Sequence, residues 1–372
     1  MLYYYFIFID RYSSMRKKLT FLGIETSCDE TAASVVRENT NGTAEILSNV
    51  VSSQIKEHEK FGGVVPEIAA RSHVENIDFI IEKALYKARV KLDEVDGIAA
   101  TAGPGLIVCL TIGFNIGKSL ARAIQKKFIS INHLEGHALS PSLENNIDFP
   151  YLLLLVSGGH SQYLIVKNLG EYKQLGTTID DAVGEAFDKT AKILNLGYPG
   201  GPQVEKFAKL GDKKSYILPK PILNRGGCNL SLAGLKTAVL RKSKDIKTIT
   251  EKNNLAASFQ DTINEILKVK TKVAMEKFDE NFSSLQKKYF VIAGGVARNK
   301  TIRESLINLS MEMNFKPVFP SEEFCGDNAA MIAMVGLEKF KINQFDNLDY
   351  PAKPRWPLDE DAAFLKGAGV QL

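Results

Sequence analysis

Two distant segments of this chain share one plan, in which an apolar strand ends in a polar turn and a second strand returns. The first runs through residues 19–36, with its turn at 25–31. The second runs through residues 151–166, with its turn at 157–161. Aliphatic and β-branched runs around a short polar turn are typical of β-hairpins. The pattern predicts duplicated lobes that each begin with a hairpin, although two unrelated hairpins would give the same pattern.

The length and composition suit two lobes. The chain has 372 residues, of which 45% are hydrophobic and 24% are charged, and such a length exceeds one compact core. We expect an extension at 1–18 outside the fold and an irregular tail at 343–372. The predicted first lobe is 19–143, to which a helix at 327–342 returns. The predicted second lobe is 144–326, and it contains a helical insertion at about 197–255.

The first residues, MLYYYFIFID, form a short apolar run without a basic segment or cleavage site, so a signal peptide is not expected. We interpret Met15 as the true start, with residues 1–14 added by an upstream start; a mitochondrial presequence is the alternative. No other run approaches the roughly 18 apolar residues of a membrane span. Four cysteines without a CxxC pair predict free thiols in a reducing compartment. We therefore expect a cytoplasmic protein without membrane association.

Hydrophobic periodicity locates the other elements. It predicts short buried strands at 97–101 and 289–293, and helices at 74–91, 110–126, 180–196 and 328–340. Three glycine-rich turns follow predicted strands, at 103–105, 157–159 and 294–295. Glycine at such a turn lets backbone N–H groups approach a phosphate. The chain lacks both the P-loop and the dinucleotide-binding glycine patterns, so the three turns together predict another kind of nucleotide cleft.

His133 and His137 are spaced to share one face of a helix, where both can bind one metal ion. Glu135 lies one position later than the glutamate of the zinc proteases, which disfavours a protease. Asp327 is the candidate third ligand, although aspartate at a helix start is also a common N-cap. Two histidines and a carboxylate suit Fe(2+), and zinc is plausible. Two ordinary surface histidines are the alternative.

The predicted helix after the second hairpin carries Asp181, Glu185 and Asp188 on one face. An acidic solvated face is one interpretation. The other is that Asp188 accepts hydrogen bonds from ribose hydroxyls, beside a rigid loop at 198–202. Asn299, after the third glycine turn, is either a ligand of the base or ribose or a plain surface residue.

Taken together, these motifs resemble the tRNA threonylcarbamoyladenosine transferase (TsaD) family. The matching stretches span residues 20–340 in the family's order: GIETSCDETAASVV, FGGVVPEIAARSHVENI, TAGPGL, NHLEGHALSP, LLVSGGHSQ, IDDAVGEAFDKTAKILNLGYPGGP, GLKTAV, AGGVARN and EEFCGDNAAMIA. The resemblance implies an α/β fold like that of actin, sugar kinases and chaperone ATPases (the ASKHA fold). In that fold two RNase-H-like lobes enclose a nucleotide cleft.

The resemblance also implies an activity, which is transfer of a threonylcarbamoyl group from threonylcarbamoyl-adenylate to N6 of adenosine 37 in tRNAs reading codons that begin with A. It implies metal ligation by His133, His137 and Asp327. It implies adenylate binding by Leu155, Val156, Ser157, Gly158, Gly159, Asp188, Gly201 and Asn299. The implied partners are tRNA, a paralogue of the TsaB type and a small ATPase of the TsaE type. The chain departs from the family's SFSGLKT pattern at 231–237, where it reads SLAGLKT.

The reaction joins a poor amine nucleophile to an activated acyl group, so the enzyme must position both and stabilise developing charge. Asp29 or Glu30, in the first hairpin turn, is the candidate general base. Arg241, Lys242 and Lys244 form a basic cluster that is a candidate for tRNA docking, although a solvated basic face is the favoured interpretation. The net charge of +4 permits tRNA without predicting it. A small-molecule kinase, a metalloprotease and a non-catalytic scaffold are the competing functions.

Overall fold

The structure is a computed structural model that describes residues 17–39 and 43–362. The expected start at Met15, the alternative presequence and residues 363–372 of the tail lie outside the described residues. Within the described ranges, no helix has both the length and the apolar character needed to cross a bilayer.

Each half of the chain forms a five-stranded mixed sheet. The first sheet contains β1 Thr20–Glu25, β2 Glu30–Glu38, β3 Ala44–Ser53, β4 Gly97–Gly103 and β5 Lys127–Asn132. The second contains β6 Tyr151–Val156, β7 Ser161–Asn168, β8 Glu171–Thr177, β9 Tyr289–Ala293 and β10 Lys316–Val318. The strand orders are β3-β2-β1-β4-β5 and β8-β7-β6-β9-β10. In both, the first three strands pair antiparallel and the last two add in parallel. The identical order confirms two hairpin-led repeats.

Eleven helices surround these sheets within the described residues. They are α1 Ile55–Glu59, α2 Pro66–Ala88, α3 Ile107–Ala123, α4 His133–Leu139, α5 Val183–Leu194, α6 Gly200–Ala208, α7 Ala233–Ser243, α8 Ile249–Phe282, α9 Lys300–Glu312, α10 Glu322–Cys325 and α11 Ala329–Lys341. Short 3-10 turns occupy Leu92–Glu94, Ser140–Leu143 and Gly295–Arg298.

One apolar cluster lies between the two sheets and positions the candidate site. It joins buried residues of the first sheet, such as Phe21, to residues of the second, such as Leu153, through α4 and α11. Close packing of α11 on β1 depends on Gly23, because a Cβ there would lie 2.4 Å from the carbonyl oxygen of Ala329. Helix α4, which carries both candidate histidines, and the start of α11, next to Asp327, are therefore held in the core between the lobes.

Several predicted boundaries were wrong. The helix predicted at 74–91 begins at Pro66, because proline suits the first helical turn. The helix predicted at 180–196 begins at Val183, so Asp181 lies outside it. The expected end of the insertion, near 255, falls inside the continuous helix α8, whose Leu255 packs in the same core as Val204 of α6. The lobe boundaries themselves stay a prediction.

The described part of the tail, residues 343–362, contains no helix and no ladder strand, yet it crosses both lobes. The amide of Lys353 donates to the carbonyl of Ala102 at 2.6 Å, at the end of β4. Farther along, the carboxylate of Asp359 accepts from the amide of Gln174 in β8 at 2.7 Å. The tail is thus tied to the first sheet by a backbone hydrogen bond and to the second by a side-chain carboxylate.

Candidate metal centre and nucleotide cleft

Helix α4 begins where β5 ends and presents both candidate histidines on one face. Asn132 caps it, because its side-chain oxygen accepts from the amide of Leu134 at 2.9 Å. The rings of His133 and His137 lie 4.7 Å apart between centroids, and both residues are buried. The i, i+4 spacing therefore gives a convergent pair and not two surface side chains.

Asp327 completes the set from the start of α11. Its Oδ1 lies 2.9 Å from Nε2 of His137 and 3.5 Å from Nε2 of His133. One ligand atom from each of the three residues lies within 4.8 Å of the others. Asp327 is not the helix cap, because Asn328 caps α11 by accepting from the amide of Met331 at 3.1 Å. The carboxylate of Asp327 is thereby left to the two imidazoles.

The electrostatics of this triad favour a positive charge between its members. Burial opposes protonation of His133, yet the charges of Asp327 and Glu25 hold its pKa well above the usual value. Burial would raise the pKa of Asp327, but His133 and His137 hold it well below its ordinary range. A site that stabilises a buried proton in this way also fits a metal cation held by the same atoms.

Glu25 is a functional candidate that the sequence analysis missed. Its Oε2 lies 3.1 Å from Nδ1 of His133 and also accepts a hydrogen bond from the hydroxyl of Thr101. Its Oε1 accepts from the amide of Ser27 at 2.5 Å. A carboxylate on Nδ1 directs the lone pair of Nε2 toward a metal, as in many histidine sites. Glu25 ends the first strand, next to the recognised turn, but its partner lies 108 positions away.

Glu135 pairs with residues outside the triad of His133, His137 and Asp327. It is buried, its Oε1 accepts from the hydroxyl of Tyr172 at 2.9 Å, and its Oε2 pairs with Lys339 at 2.5 Å. A carboxylate held by two partners is not free to act as the base of a metalloprotease. This observation agrees with the disfavoured protease interpretation.

Asp29 ends the first hairpin turn and Glu30 begins β2, and the charge of Asp327 acts on both. Burial, with the charge of Asp327, raises the pKa of Asp29. Burial and the charges of Asp327 and Asp29 raise the pKa of Glu30 well above its usual value. The turn therefore places two protonatable carboxyl groups in the electrostatic environment of the triad.

Two glycines of the second hairpin turn are exposed and face open space. Gly158 and Gly159 are exposed, and a Cβ at either would meet no atom within 4 Å. The amide of Gly184, at the start of α5, donates to the carbonyl of Ser157 at 3.2 Å, which fixes the turn against that helix. The side chains of Leu155 and Val156 are fully buried, so only their backbone can face a ligand.

This turn also lies near the metal ligands. Loss of solvent around the ring of His160, with the charges of His133 and His137, lowers the pKa of His160 to about 4. An electrostatic effect of that kind requires proximity between the second hairpin turn and α4. The apolar cluster between the sheets, which includes Leu134 of α4 and Met331 of α11, joins the two lobes beside the triad.

Asp188 is held by the loop that follows α5. Its Oδ1 accepts from the amide of Gly200 at 2.8 Å. Burial raises the pKa of Asp188, and the charge of Asp29 from the other lobe adds to this increase. A Cβ at the neighbouring Gly201 would meet nothing within 4 Å, which leaves space in front of this residue.

The other two acids of the predicted acidic face point elsewhere. Asp181 lies before α5 and pairs with Lys189 at 3.0 Å and Lys236 at 2.6 Å. Glu185 pairs with the same Lys189. The expectation that all three acids share one helical face was therefore wrong, and Asp188 alone is turned toward the 198–202 loop.

Asn299 serves as the N-cap of α9. Its Oδ1 accepts from the amide of Ile302 at 3.0 Å, and its amide nitrogen donates to Oε1 of Gln260 at 2.8 Å. It is buried, so the plain surface interpretation was wrong. The same amide carries a second N–H, which the predicted contact with base or ribose would use.

The three glycine turns do not form one group. Gly294 packs on the second hairpin, since a Cβ there would lie 2.4 Å from the carbonyl oxygen of Val156, and its φ of +95° suits glycine. Gly105 packs instead on the first hairpin, where a Cβ would lie 2.6 Å from the carbonyl oxygen of Ser27. The turns at 157–159 and 294–295 therefore pack together in the second lobe. The turn at 103–105 packs on the first hairpin turn, beside His133.

The segment that departs from the family pattern has a structural role. Asp180 accepts hydrogen bonds from the hydroxyl of Ser231 at 2.5 Å and from the amide of Leu232 at 2.7 Å. Leu232 is almost fully buried at the position where the family carries phenylalanine. The substitution thus retains an apolar side chain in the core.

Comparisons with known proteins identify the family. A family profile described as TsaD: tRNA N6-adenosine threonylcarbamoyltransferase matches residues 45–334. A tRNA N6-adenosine threonylcarbamoyltransferase of Pelagibacter ubique (strain HTCC1062) is 64% identical over 358 residues, which cover 96% of this chain and 100% of the relative. This chain belongs to the tRNA N6-adenosine threonylcarbamoyltransferase family. A member from Brucella suis (strain ATCC 23445 / NCTC 10510) is 51% identical over 94% of this chain and 98% of its own length.

Solved structures support the fold. Full-length HypF in a phosphate- and nucleotide-bound form aligns with a TM-score of 0.56 at 14% identity, over 87% of this chain and 47% of that one. HypF of T. kodakarensis gives 0.55 at 16% identity, over 86% and 48%. The chain spans about half the length of these proteins, and at such identities the likeness concerns the fold alone. The predicted α/β fold of the ASKHA class is confirmed, and family membership favours a transferase over the kinase, protease and scaffold alternatives.

Proposed function

We propose that this chain transfers the threonylcarbamoyl group of threonylcarbamoyl-adenylate to N6 of adenosine 37 in tRNAs that read codons beginning with A. Modification of tRNA adenosine at N6 follows from family membership. The observation that carries the proposal is identity of 64% over the full length of a relative named for this transfer. The choice of adenosine 37 and of the adenylate donor is part of the proposal.

We propose that His133, His137 and Asp327 hold Fe(2+), or alternatively zinc. The donor set fits, because two buried imidazoles converge on one carboxylate oxygen and Glu25 orients the first of them. Two histidines and one carboxylate leave coordination positions open for other ligands. A metal ion bound there would supply Lewis acidity toward phosphate or carbamoyl oxygen.

The remaining residues bind the donor in this proposal. The exposed N–H groups of Gly158 and Gly159 donate hydrogen bonds to the phosphate oxygens. Ser157 donates through its hydroxyl, because its own amide is bonded to the carbonyl of His160 at 2.8 Å, and Asp188 accepts hydrogen bonds from ribose hydroxyls. Gly201 leaves space for the nucleoside, and Asn299 contributes its second amide N–H. Leu155 and Val156 contribute backbone only.

The transfer itself forms an N–C bond between N6 of adenosine and the carbamoyl carbon, and it breaks the bond from that carbon to the phosphate oxygen. Adenosine monophosphate leaves, and the amine gives up one proton. Asp29 or Glu30 accepts this proton in our proposal, because both lie beside the triad and have raised pKa values closer to neutrality.

The proposed partners follow from the resemblance. They are tRNA, a TsaB-like paralogue and a TsaE-like ATPase, in the cytoplasm. Arg241, Lys242 and Lys244, exposed at and just beyond the end of α7, are the proposed tRNA contacts. Neutralising all three should weaken tRNA binding and reduce its salt dependence without affecting metal binding.

A transfer assay tests the function. The chain is incubated with unmodified tRNA, threonine, bicarbonate, ATP, an adenylate synthase and the two partner proteins, and the digested nucleosides are analysed by mass. We expect threonylcarbamoyladenosine only when this chain is present, its loss with His133→Ala, and its retention with the surface control Glu304→Ala. A folded, metal-loaded chain that gives no modified nucleoside with active partners would refute the proposal.

A further inference from the structure

A fully buried polar network lies behind the turn that carries Asp29 and Glu30. Its members are Thr31, Gln54, His58 and His73, each no more than 1% exposed. None of them belongs to the metal triad or to the proposed adenylate contacts. Buried polar groups in such numbers are retained only when they are hydrogen-bonded, and the pattern of these bonds indicates what they hold.

His73, on α2, contacts the chain on both sides of the acid pair. Its Nε2 lies 2.9 Å from the carbonyl oxygen of Cys28, and its Nδ1 lies 2.8 Å from the hydroxyl of Thr31. A carbonyl oxygen only accepts, so Nε2 carries the hydrogen. Burial lowers the pKa of His73, which keeps the ring neutral, and Nδ1 then accepts from the hydroxyl. One imidazole therefore bridges the residue before Asp29 and the residue after Glu30.

His58 and Gln54 form a chain of hydrogen bonds with a single donor-to-acceptor direction. The amide of Val65 donates to Nδ1 of His58 at 3.3 Å, and Nε2 of His58 then donates to Oε1 of Gln54 at 3.2 Å. The Gln54 amide nitrogen lies 3.4 Å from Nδ1 of His73. Because the Val65 amide is a donor and the Cys28 carbonyl is an acceptor, the tautomers of His58 and His73 are both fixed. The one lone pair on Nδ1 of His73 accepts from Thr31, and the Gln54 amide has the carbonyl of Ala69 at 3.4 Å as its acceptor. The network is therefore rigid and unambiguous.

Gln54 also holds the acid pair directly. Its backbone amide donates to the carbonyl oxygen of Asp29 at 3.2 Å. The peptide groups flanking Asp29 and Glu30 are thus fixed from α2 and from the start of α1, while burial and the charge of Asp327 raise the pKa values of both carboxyl groups.

We propose that His73 is a positioning residue for the transfer reaction, which holds the Asp29–Glu30 turn at a fixed distance from the metal triad. The inference rests on the proposed function, in which one of these two carboxyl groups accepts the amine proton. His73 is fully buried behind the turn, so we expect it to act through Asp29 and Glu30, on the rate of the chemical step. A displacement of about 1 Å at a reacting group costs up to ~100-fold in rate.

Four variants separate positioning from bulk stability. His73→Gln places an amide N–H near the position of Nε2 and so keeps the bond to Cys28, whereas His73→Asn reaches only the position of Nδ1. Thr31→Val keeps the shape and strand preference of Thr31 but removes its hydroxyl, and Thr31→Ser restores that hydroxyl. The readouts are kcat, KM for the adenylate, bound metal and Tm.

We expect His73→Asn and Thr31→Val to lower kcat by about 10- to 100-fold, with unchanged KM and metal content. His73→Gln and Thr31→Ser should recover most of the rate. Wild-type kcat in folded, metal-loaded His73→Asn and Thr31→Val would overturn the inference while leaving the proposed function intact. Parallel loss of kcat, metal and Tm without rescue would overturn it in favour of a purely structural role. An inactive wild-type enzyme would instead refute the proposed function on which the inference rests.

Discussion

The Nδ1 atom of His133 lies 3.1 Å from Oε2 of Glu25, and this contact sets which imidazole nitrogen faces the metal site. The opposite nitrogen, Nε2, lies 3.5 Å from Asp327. Glu25 thus orients His133, one of the three proposed metal ligands, without itself belonging to that group.

Glu25→Gln should weaken metal binding by about 10- to 100-fold, the usual effect of removing a carboxylate behind a metal-bound histidine. The amide keeps the shape of Glu25 but loses the charge that makes His133 a better donor. Titration of the metal-free protein with Zn²⁺ or Co²⁺ measures the change. Glu205→Gln, at a carboxylate paired with Lys209 on α6, is the control. Equal affinity in wild type and Glu25→Gln would show that the contact has no part in ligand orientation.

Asp327 and Asn328 are adjacent, but substitution of each should affect a different property. Asp327→Ala should abolish the rise in Tm that added metal produces, because it removes one of three ligands. Asn328→Ala should cost about 1 kcal/mol of stability through loss of the helix cap and retain the metal-induced rise. Thermal unfolding with and without metal distinguishes the two. A metal response that survives Asp327→Ala would remove this residue from the ligand set.

Glu30→Gln should stabilise the metal-free protein at neutral pH. Burial, Asp327 and Asp29 raise the pKa of Glu30 in the folded state, so the folded protein binds more protons than the unfolded chain between the two pKa values. The free energy of unfolding of the wild type therefore falls as pH rises through this window. Glu30→Gln cannot ionise at this position and should not show that fall.

The measurement for Glu30→Gln is urea unfolding in a chelator at several pH values. We expect Glu30→Gln to have a higher free energy of unfolding than the wild type at pH 8. This difference should shrink as pH falls toward about 4, where glutamate becomes protonated in the unfolded chain as well. Glu304→Gln, on the exposed side of α9, should show no such trend. A variant less stable than wild type at every pH would contradict the assignment of Glu30 as a destabilised carboxylate.

Gly200 and Gly201 form a matched pair beside Asp188. An alanine Cβ at Gly200 would lie 2.4 Å from Cα of Asp188 and 2.8 Å from its Oδ1, so Gly200→Ala should cost about 1–3 kcal/mol by overpacking. Gly201→Ala has free space and should leave stability unchanged. If the nucleoside occupies this space, Gly201→Ala should nevertheless weaken binding of adenosine monophosphate, measured by calorimetry. Unchanged binding would place the nucleoside elsewhere.

The features predicted correctly from sequence are those that depend on short, continuous stretches of chain. The two hairpins follow from apolar runs on either side of a short polar turn. The pairing of His133 with His137 follows from helical spacing. Asp327 was found as a candidate, but its neighbour Asn328 proved to be the cap. Either residue type suits that position, and only the fold shows which of them faces the histidines.

The features that sequence reasoning missed depend on distant contacts. Glu25 meets His133 across 108 positions, and no local pattern indicates that pairing. The acidic face of α5 divides because Asp181 lies before the helix and meets Lys236, a residue of another element. The grouping of the glycine turns likewise depends on which hairpin each one packs against.

The tail described earlier also acts as a tether of fixed length. It is anchored to β4 at Lys353 and to β8 at Asp359. Those few intervening residues span at most about 20 Å when fully extended. Separation of the two anchoring points beyond that reach would break one of these hydrogen bonds. The tail therefore limits how far the two sheets can move apart at these points while both hydrogen bonds persist.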